Sequence, residues 1–250
     1  MNDDLLIEEP IDGVAQLRIN RPNKRNALNL FIKNAIADSL EAWRENDRVR
    51  VVLLSGEGPD FAAGSDLNDL AAWTSGDHAQ LRTNRMWEAL QEFPKPIVAA
   101  VSGRAWGGGC ELAMACDLIV ADQTASFAQP EVRLGVSPGA GGVQRLVRLV
   151  GRAIAMRMVL TGEALTCAEA WRSGLLSDVV ETGALSRGLT LANKISAMPE
   201  SAVQAIKELA RVADNTSLDR GLALERQTFV RLCDSTPKRE LMDAFIGKRH

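Results

Sequence analysis

The chain has 250 residues, 46% hydrophobic and 24% charged, with 29 basic against 32 acidic side chains and a formal charge of −3. This composition belongs to a globular protein able to bury one large core, and its charge balance gives no global pull toward nucleic acid or an anionic membrane. The only histidines are His78 and His250, and there is no tyrosine, so Ser-His-Asp or Cys-His catalysis and histidine-based metal sites lack their central residue.

In chain order, "DLLIEE" and "VAQLRIN" alternate as strands around the turn-forming "PIDG", which predicts an opening hairpin. In "LFIKNAIADSLEAWREND", Ile32, Ile36, Leu40 and Trp43 recur at helical spacing. "VRVVLLSG" is a short β-branched run of the kind buried on both faces of a sheet. The loop "GEGPDFAAGSDLNDL" leads into helical sequence that continues through "LRTNRMWEALQEF". "KPIVAAVSG" is the next buried strand, and "DLIVAD" and "ASFAQ" read as short strands further on. From about Gly139, starting with "GAGGVQRLVRLVG", helix dominates, with breaks near Pro199, at Asn215 to Ser217 and near Pro237. Alternating strands and helices predict a wound α/β core, placed at residues 1–195. Residues 196–250 are expected to form a helical oligomerisation region.

The four cysteines, Cys110, Cys116, Cys167 and Cys233, form no CxxC pair and sit beside small or apolar residues, as buried free thiols do. "MNDDLLIEEP" has neither the basic-then-apolar order of a secretory signal nor an Arg-rich transit composition. No apolar run reaches the roughly 18 residues of a membrane span. A cytoplasmic protein with no membrane or nucleic-acid partner is expected.

The most informative stretch is "GRAWGGGCELAMACDLIVA". With Gly107, Gly108 and Gly109 in a turn and a helix beginning near Cys110, the first helical amides have no internal partner and the helix dipole favours negative charge there. Glycine lets a ligand approach the backbone, so the place suits an oxyanion hole. A tight turn permitting close helix packing, with Glu111 merely suiting the helix start, is the other reading. A phosphate cradle is disfavoured, because neither GxGxxG nor a Walker pattern is present. "FAAGSDL" repeats the theme of small residues after a buried strand, and one amide from each loop can meet a single carbonyl oxygen. Glu131, stiffened by Pro130, supplies a second carboxylate. With Glu111 it forms either an acid–base pair, if burial keeps one member protonated, or a solvated charge at a helix start.

"RPNKRNALN", "FAAGSDL", "GGGCELAMACDLIVA", "FAQPEVRLGVSPGAGGVQRL" and "MDAFIGKR", in that order, resemble the crotonase family of enoyl-CoA hydratases and isomerases, most nearly its short-chain hydratases, from about residue 5 to 249. The resemblance implies a crotonase-like α/β spiral of ββα turns followed by a helical C-terminal trimerisation region, assembled as a homotrimer or dimer of trimers. It implies an acyl-CoA thioester substrate, with coenzyme A part of that substrate, no separate cofactor and no metal. By position it makes Glu111 and Glu131 catalytic, Ser65 and Gly108 the oxyanion amides, and Gly139 the residue positioning the water and the second glutamate. Substrate contacts are implied at Asn23, Lys24, Arg25, Ala62, Ala63, Asp66, Leu67, Trp106 and Pro130. Lys248 and Arg249 match a tail region that reaches CoA.

Both glutamates together favour hydration of a trans-2-enoyl-CoA to a 3-hydroxyacyl-CoA, in fatty-acid or aromatic-acid catabolism. Glu111 is then the base and Glu131 the acid. Isomerisation or other acyl-CoA chemistry is the alternative. An RNA-binding relative is a remote one, since it calls for a lysine-rich helix where this chain has mixed charge. Three departures stand out. Ser65 replaces the more frequent alanine and adds a hydroxyl near the oxygen, and Arg104 and Trp106 take places where an aromatic and a smaller apolar residue are common. Trp73, Trp87 and Trp106 are either core or walls of the acyl pocket.

Overall fold

A computed structural model of the chain describes residues 3–72, 74, 76 and 83–247. The expected hairpin is formed by strands β1 (Leu5–Ile11) and β2 (Gly13–Ile19), paired antiparallel with Leu5 opposite Ile19. Gly13 turns the corner at a φ of +78°, where a side chain would be strained. Helix α1 (Leu30–Trp43) buries Ile32, Ile36, Ala37 and Leu40 along the expected stripe. Its first amides are taken by side chains: Asn29 Oδ1 accepts from Ile32 N at 2.9 Å and Asp69 Oδ2 from Leu30 N at 3.0 Å.

Strands β3 (Val49–Gly56), β4 (Ile97–Val101), β6 (Leu118–Asp122) and β9 (Asp178–Val180) add to β2 in parallel, giving the order β1-β2-β3-β4-β6-β9. A parallel sheet has to be covered on both faces. One face meets α1 and α3 (Arg85–Glu92), with Met86, Ala89 and Leu90 turned into the core. On the other, Val14, Val51, Leu53, Val98, Ala100 and Val120 lie under α7 (Ala184–Ser196). That helix sits so near the sheet that a Cβ on Gly188 would be 2.9 Å from Leu53 Cδ1.

A second, smaller sheet runs β5 (Arg104–Trp106), β7 (Ser126–Ala128), β8 (Leu165–Thr166), and Ala62 bridges onto its β5 edge through Ala105. The chain thus repeats one path. Each turn passes through a strand of the large sheet, a short strand or bridge in the small one, and then a helix: β3, Ala62 and α2 (Leu67–Ala72); β4, β5 and α4 (Gly108–Met114); β6, β7 and α5 (Gly142–Thr161). This is the spiral of ββα turns expected above.

Several boundaries differ from expectation. Helix α4 begins at Gly108, two positions ahead of Cys110, because Gly107 at φ +50° makes the turn alone. Gly108 and Gly109 are helical. Strands β8 and β9 escaped the sequence reading, since segments of two and three residues carry no usable periodicity. Helix α5 is broken at Gly151, whose φ is +75°, where the sequence had shown only a glycine in an apolar run. Helix α6 (Cys167–Arg172) starts with a capping box between Thr166 and Glu169.

Beyond Pro199 the chain forms α8 (Glu200–Ala213), α9 (Leu218–Cys233) and α10 (Thr236–Gly247), with breaks where the sequence placed them. No residue of α9 or α10 is buried, and Ile206, Phe229, Val230, Phe245 and Ile246 all lie open. All four cysteines are free thiols. Cys110 and Cys167 are buried as expected, while Cys116 and Cys233 are only partly so. Among the described residues no helix is long and apolar enough to cross a membrane.

Candidate active site

Two backbone segments meet at the top of the spiral. The first, residues 60–66, is held largely by the "RPNKRNALN" motif. Asn26, fully buried at φ +56°, donates through Nδ2 to the carbonyls of Glu57 at 2.9 Å and Asp60 at 2.5 Å, and its Oδ1 accepts from Arg21 N. The Arg21 guanidinium reaches Ala27 O at 2.7 Å and Asp66 Oδ2 at 3.0 Å. Leu28 then pairs on either side of Ser65: its N–H donates to Gly64 O at 2.8 Å and its carbonyl accepts from Asp66 N at 3.0 Å. In such a parallel bridge the Ser65 N–H points the opposite way, toward the second segment.

That second segment is Trp106–Gly109. Trp106 N donates to Ala62 O at 3.0 Å, and Gly107 N to Ala128 O at 2.8 Å. A Cβ on Gly109 would lie 2.0 Å from Ala62 O, so no other residue permits this approach. A Cβ on Gly108 would stand 3.3 Å from Ser65 N. The Gly108 N–H, at the first position of α4, has no acceptor within its helix. The Ser65 and Gly108 backbones are therefore close neighbours on one cleft, a placement that suits an oxyanion hole.

The two glutamates flank this place in different environments. Glu111, on the first turn of α4, is 4% exposed. Its Oε1 accepts from Ala140 N at 2.7 Å and Gly142 N at 2.9 Å. Burial raises its pKa, opposed by those two amides and by the charges of Arg145 and Lys33. Arg145 also donates to Ala140 O at 2.6 Å, fixing the loop whose amides hold Glu111. Glu131 opens a short 3-10 turn after Pro130, and a Cβ on Gly107 would stand 3.0 Å from its Oε1. Burial, with the charge of Glu111 adding, pushes its pKa up to about 7. The fully buried Gln129 turns its amide toward Glu131 and, with the nitrogen facing the carboxylate, donates at 3.0 and 3.1 Å. The arrangement can keep an ionised base and a protonated acid side by side near neutral pH.

Both carboxyls and both amides open on one cleft of about 490 Å³. Its walls include Leu67, Leu70, Trp87, Trp106, Leu134 and Val136, an apolar surface fitted to an acyl chain. Ala63, Pro130 and Gly139 also line it. Gly139 forms wall, while the amides on Glu111 come from its neighbours Ala140 and Gly142. Asp66 and Ala62 are not among the residues that line this cleft. Asp66 is buried against Arg21, whose hydrogen bond, with that of Asn68 N, lowers its pKa against the cost of burial. Ala62 is buried in the Ala105 bridge. Asn23, Lys24 and Arg25 are exposed on the turn beside this loop, where the Arg25 carbonyl accepts from Ala63 N at 2.9 Å. Trp73, His78, Lys248, Arg249 and His250 lie outside the described residues.

Sequence reasoning missed Gln129, Ala140, Gly142, Arg145 and Lys33. The first is visible only as the residue ahead of "PE", and the loop amides carry no side-chain signature. Lys33 had a signal: a lysine directly beside the apolar stripe of α1, on a helix otherwise turned toward the core.

The family model described as enoyl-CoA hydratase/isomerase matches residues 9–250. The chain belongs to that family. It is 41% identical to the 2,3-dehydroadipyl-CoA hydratase of Escherichia coli over 237 residues, covering 94% of this chain and 93% of that protein. It is 37% identical to the crotonyl-CoA hydratase of Syntrophomonas wolfei, covering 98% and 95%. The crystal structure of an enoyl-CoA hydratase from Bacillus anthracis superposes with a TM-score of 0.93 at 30% identity, covering 98% of this chain and 96% of that one. The spiral architecture is therefore the crotonase fold.

The Glu131 environment sets a pH dependence of stability. Its ordinary pKa of 4.5 rises to about 7 in the folded chain, so the folded state binds more protons between those values. This contribution is fully present below about pH 4.5 and is lost as pH rises through about 7. Glu131→Gln removes it. In thermal melts across pH 4 to 9, the variant is expected to gain on the parent between about pH 4.5 and 7 and to run parallel to it above that. Parallel curves for the two proteins over the whole range would contradict the assignment.

Proposed function

We propose that the protein is an enoyl-CoA hydratase, a lyase that adds water across the trans-2 double bond of an acyl-CoA thioester to give the 3-hydroxyacyl-CoA. The observation that carries the reading is the placement of two differently tuned glutamates beside two neighbouring backbone amides in one apolar cleft. The thioester oxygen accepts the Ser65 and Gly108 N–H groups, which draws electrons from the conjugated double bond and lowers the energy of the enolate. Glu111, whose Oε1 accepts from the Ala140 and Gly142 amides, takes a proton from water as the oxygen attacks C3. Glu131 delivers a proton to C2. With Glu111 re-protonated and Glu131 ionised at the end, exchange through water restores the starting pair. The chemistry asks for no metal or separate cofactor.

The CoA portion is assigned to the turn Asn23–Arg25 and to Ala63 at the cleft edge, where Lys24 and Arg25 supply cations for phosphate. Residues 196–250 are assigned to oligomerisation. Support comes from the open apolar side chains of α8 to α10, a row that a solvated monomer rarely displays.

The activity is tested by the ultraviolet absorbance of crotonyl-CoA, whose conjugated thioester disappears on hydration. Glu111→Gln and Glu131→Gln are each expected to lower kcat by roughly 100- to 10,000-fold, the range of acid–base contributions. Full activity in either variant would remove that residue from the mechanism. Sedimentation equilibrium is expected to return three or six times the chain mass of 27.0 kDa, and a monomer at micromolar concentration would refute the assembly.

A further inference from the structure

Lys33 reaches the cleft from the first turn of α1 and is 5% exposed. Its Nζ donates to Ser65 Oγ at 3.3 Å. That oxygen lies 3.2 Å from the position a Cβ would take on Gly108, beside the Ser65 amide at 3.3 Å from the same point. The hydroxyl and the amide of Ser65 thus border the oxyanion hole together. An ammonium offers donors and no acceptor, so Ser65 Oγ accepts from Lys33 and its own proton is directed elsewhere. Lys33, Ser65 and Gly108 all line the same cleft, where an oxygen accepting from the two amides would sit beside that hydroxyl.

We propose that the Ser65 hydroxyl, oriented by Lys33, is a third hydrogen-bond donor to the thioester oxygen. The inference rests on the hydratase reading and extends it. Ser65 touches the substrate twice, through its amide and its hydroxyl. Lys33 is a positioning residue whose charge acts on the enolate at one remove. No proton changes owner in this contact: the hydroxyl proton stays on Ser65 while negative charge grows on the thioester oxygen. A hydrogen bond polarised by a neighbouring ammonium strengthens as that charge develops, which favours the transition state over the ground state. Burial lowers the pKa of Lys33, and the charges of Asp69 and Glu111 oppose that shift in part. Within the cleft, the same lysine helps hold Glu111 ionised.

The test combines kinetics with the carbonyl stretch of bound butanoyl-CoA labelled with 13C at C1, read by infrared difference spectroscopy. This saturated thioester cannot be hydrated, so its carbonyl reports the hole alone. Ser65→Ala keeps the amide and removes the hydroxyl, and Lys33→Met keeps the length and removes the charge. Each is expected to shift the bound carbonyl back toward its frequency in water and to lower kcat about 10- to 100-fold, as for one charge-assisted hydrogen bond. KM should move far less. Because Lys33 also acts on Glu111, the double variant is read by the carbonyl: Lys33→Met in the Ser65→Ala background should leave the bound carbonyl frequency where Ser65→Ala alone puts it. Parent-like kcat and carbonyl frequency in Ser65→Ala would overturn the third donor, and carbonyl shifts that simply add in the double variant would overturn the positioning role of Lys33. If Lys33→Met does not fold, Lys33→Gln decides on the lysine and Ser65→Ala on the hydroxyl. If the parent protein hydrates no enoyl-CoA, the hydratase reading fails, while the carbonyl shift still reads the third donor.

Discussion

The close approach of the backbone at Ala62–Ser65 to the backbone at Trp106–Gly109 is the constraint from which the rest of the site follows. Hydrogen bonds between Ala62 and the Arg104 and Trp106 backbone set the distance, and the missing side chain at Gly109 permits it. The Leu28 bridge leaves the Ser65 amide turned away from Leu28, and the helix start leaves the Gly108 amide without an acceptor in its own helix. Donors whose orientation is fixed before any charge develops stabilise that charge more than free ones do. The large parallel sheet carries these loops on the ends of buried strands. The Arg21–Asp66 pair and the Asn26 hub fasten the outer loop to the turn between β2 and α1.

The two carboxyls are made unequal by what surrounds them. Burial raises the pKa of Glu111, and two backbone amides and nearby cations oppose that rise. Glu131 gains far less compensation, and the charge of Glu111 adds to its burial in pushing its pKa up to about 7. Unequal shifts of neighbouring carboxyls are what acid–base work in one cleft requires. Arg145 lies behind this asymmetry, since it braces the Ala140 loop whose amides define the base. Pair and hole share neighbours as well: Lys33 touches Ser65 and acts on Glu111.

Much of this was legible in the sequence, unevenly. The hairpin, α1 and the buried strands β3, β4 and β6 follow from periodicity and from β-branched runs. The spiral that arranges them came from resemblance, because nothing local records which sheet a strand joins. Strands β8 and β9 are too short to announce themselves. Helix α4 starts earlier than expected because glycine's poor helix propensity is outweighed by a packing requirement that only glycine meets. In the site, Glu111, Glu131, Ser65 and Gly108, the residues that the family resemblance implies, all line one cleft. Asp66 and Ala62 belong to the scaffold that presents the loop, and a sequence motif does not separate residues facing a ligand from those bracing the backbone behind them. Lys33 is not singled out by the sequence analysis, since its partner Ser65 is distant in sequence.

The central claim is that this cleft moves water onto C3 and a proton onto C2 of a bound enoyl thioester. The most direct measurement is mass spectrometry and NMR of the product formed from crotonyl-CoA in water enriched in oxygen-18 and deuterium. The account predicts one oxygen-18 at C3 and one deuterium at C2 of the 3-hydroxybutanoyl-CoA. Recovery of unhydrated substrate, or of a thioester whose double bond has moved without uptake of oxygen-18, would contradict it.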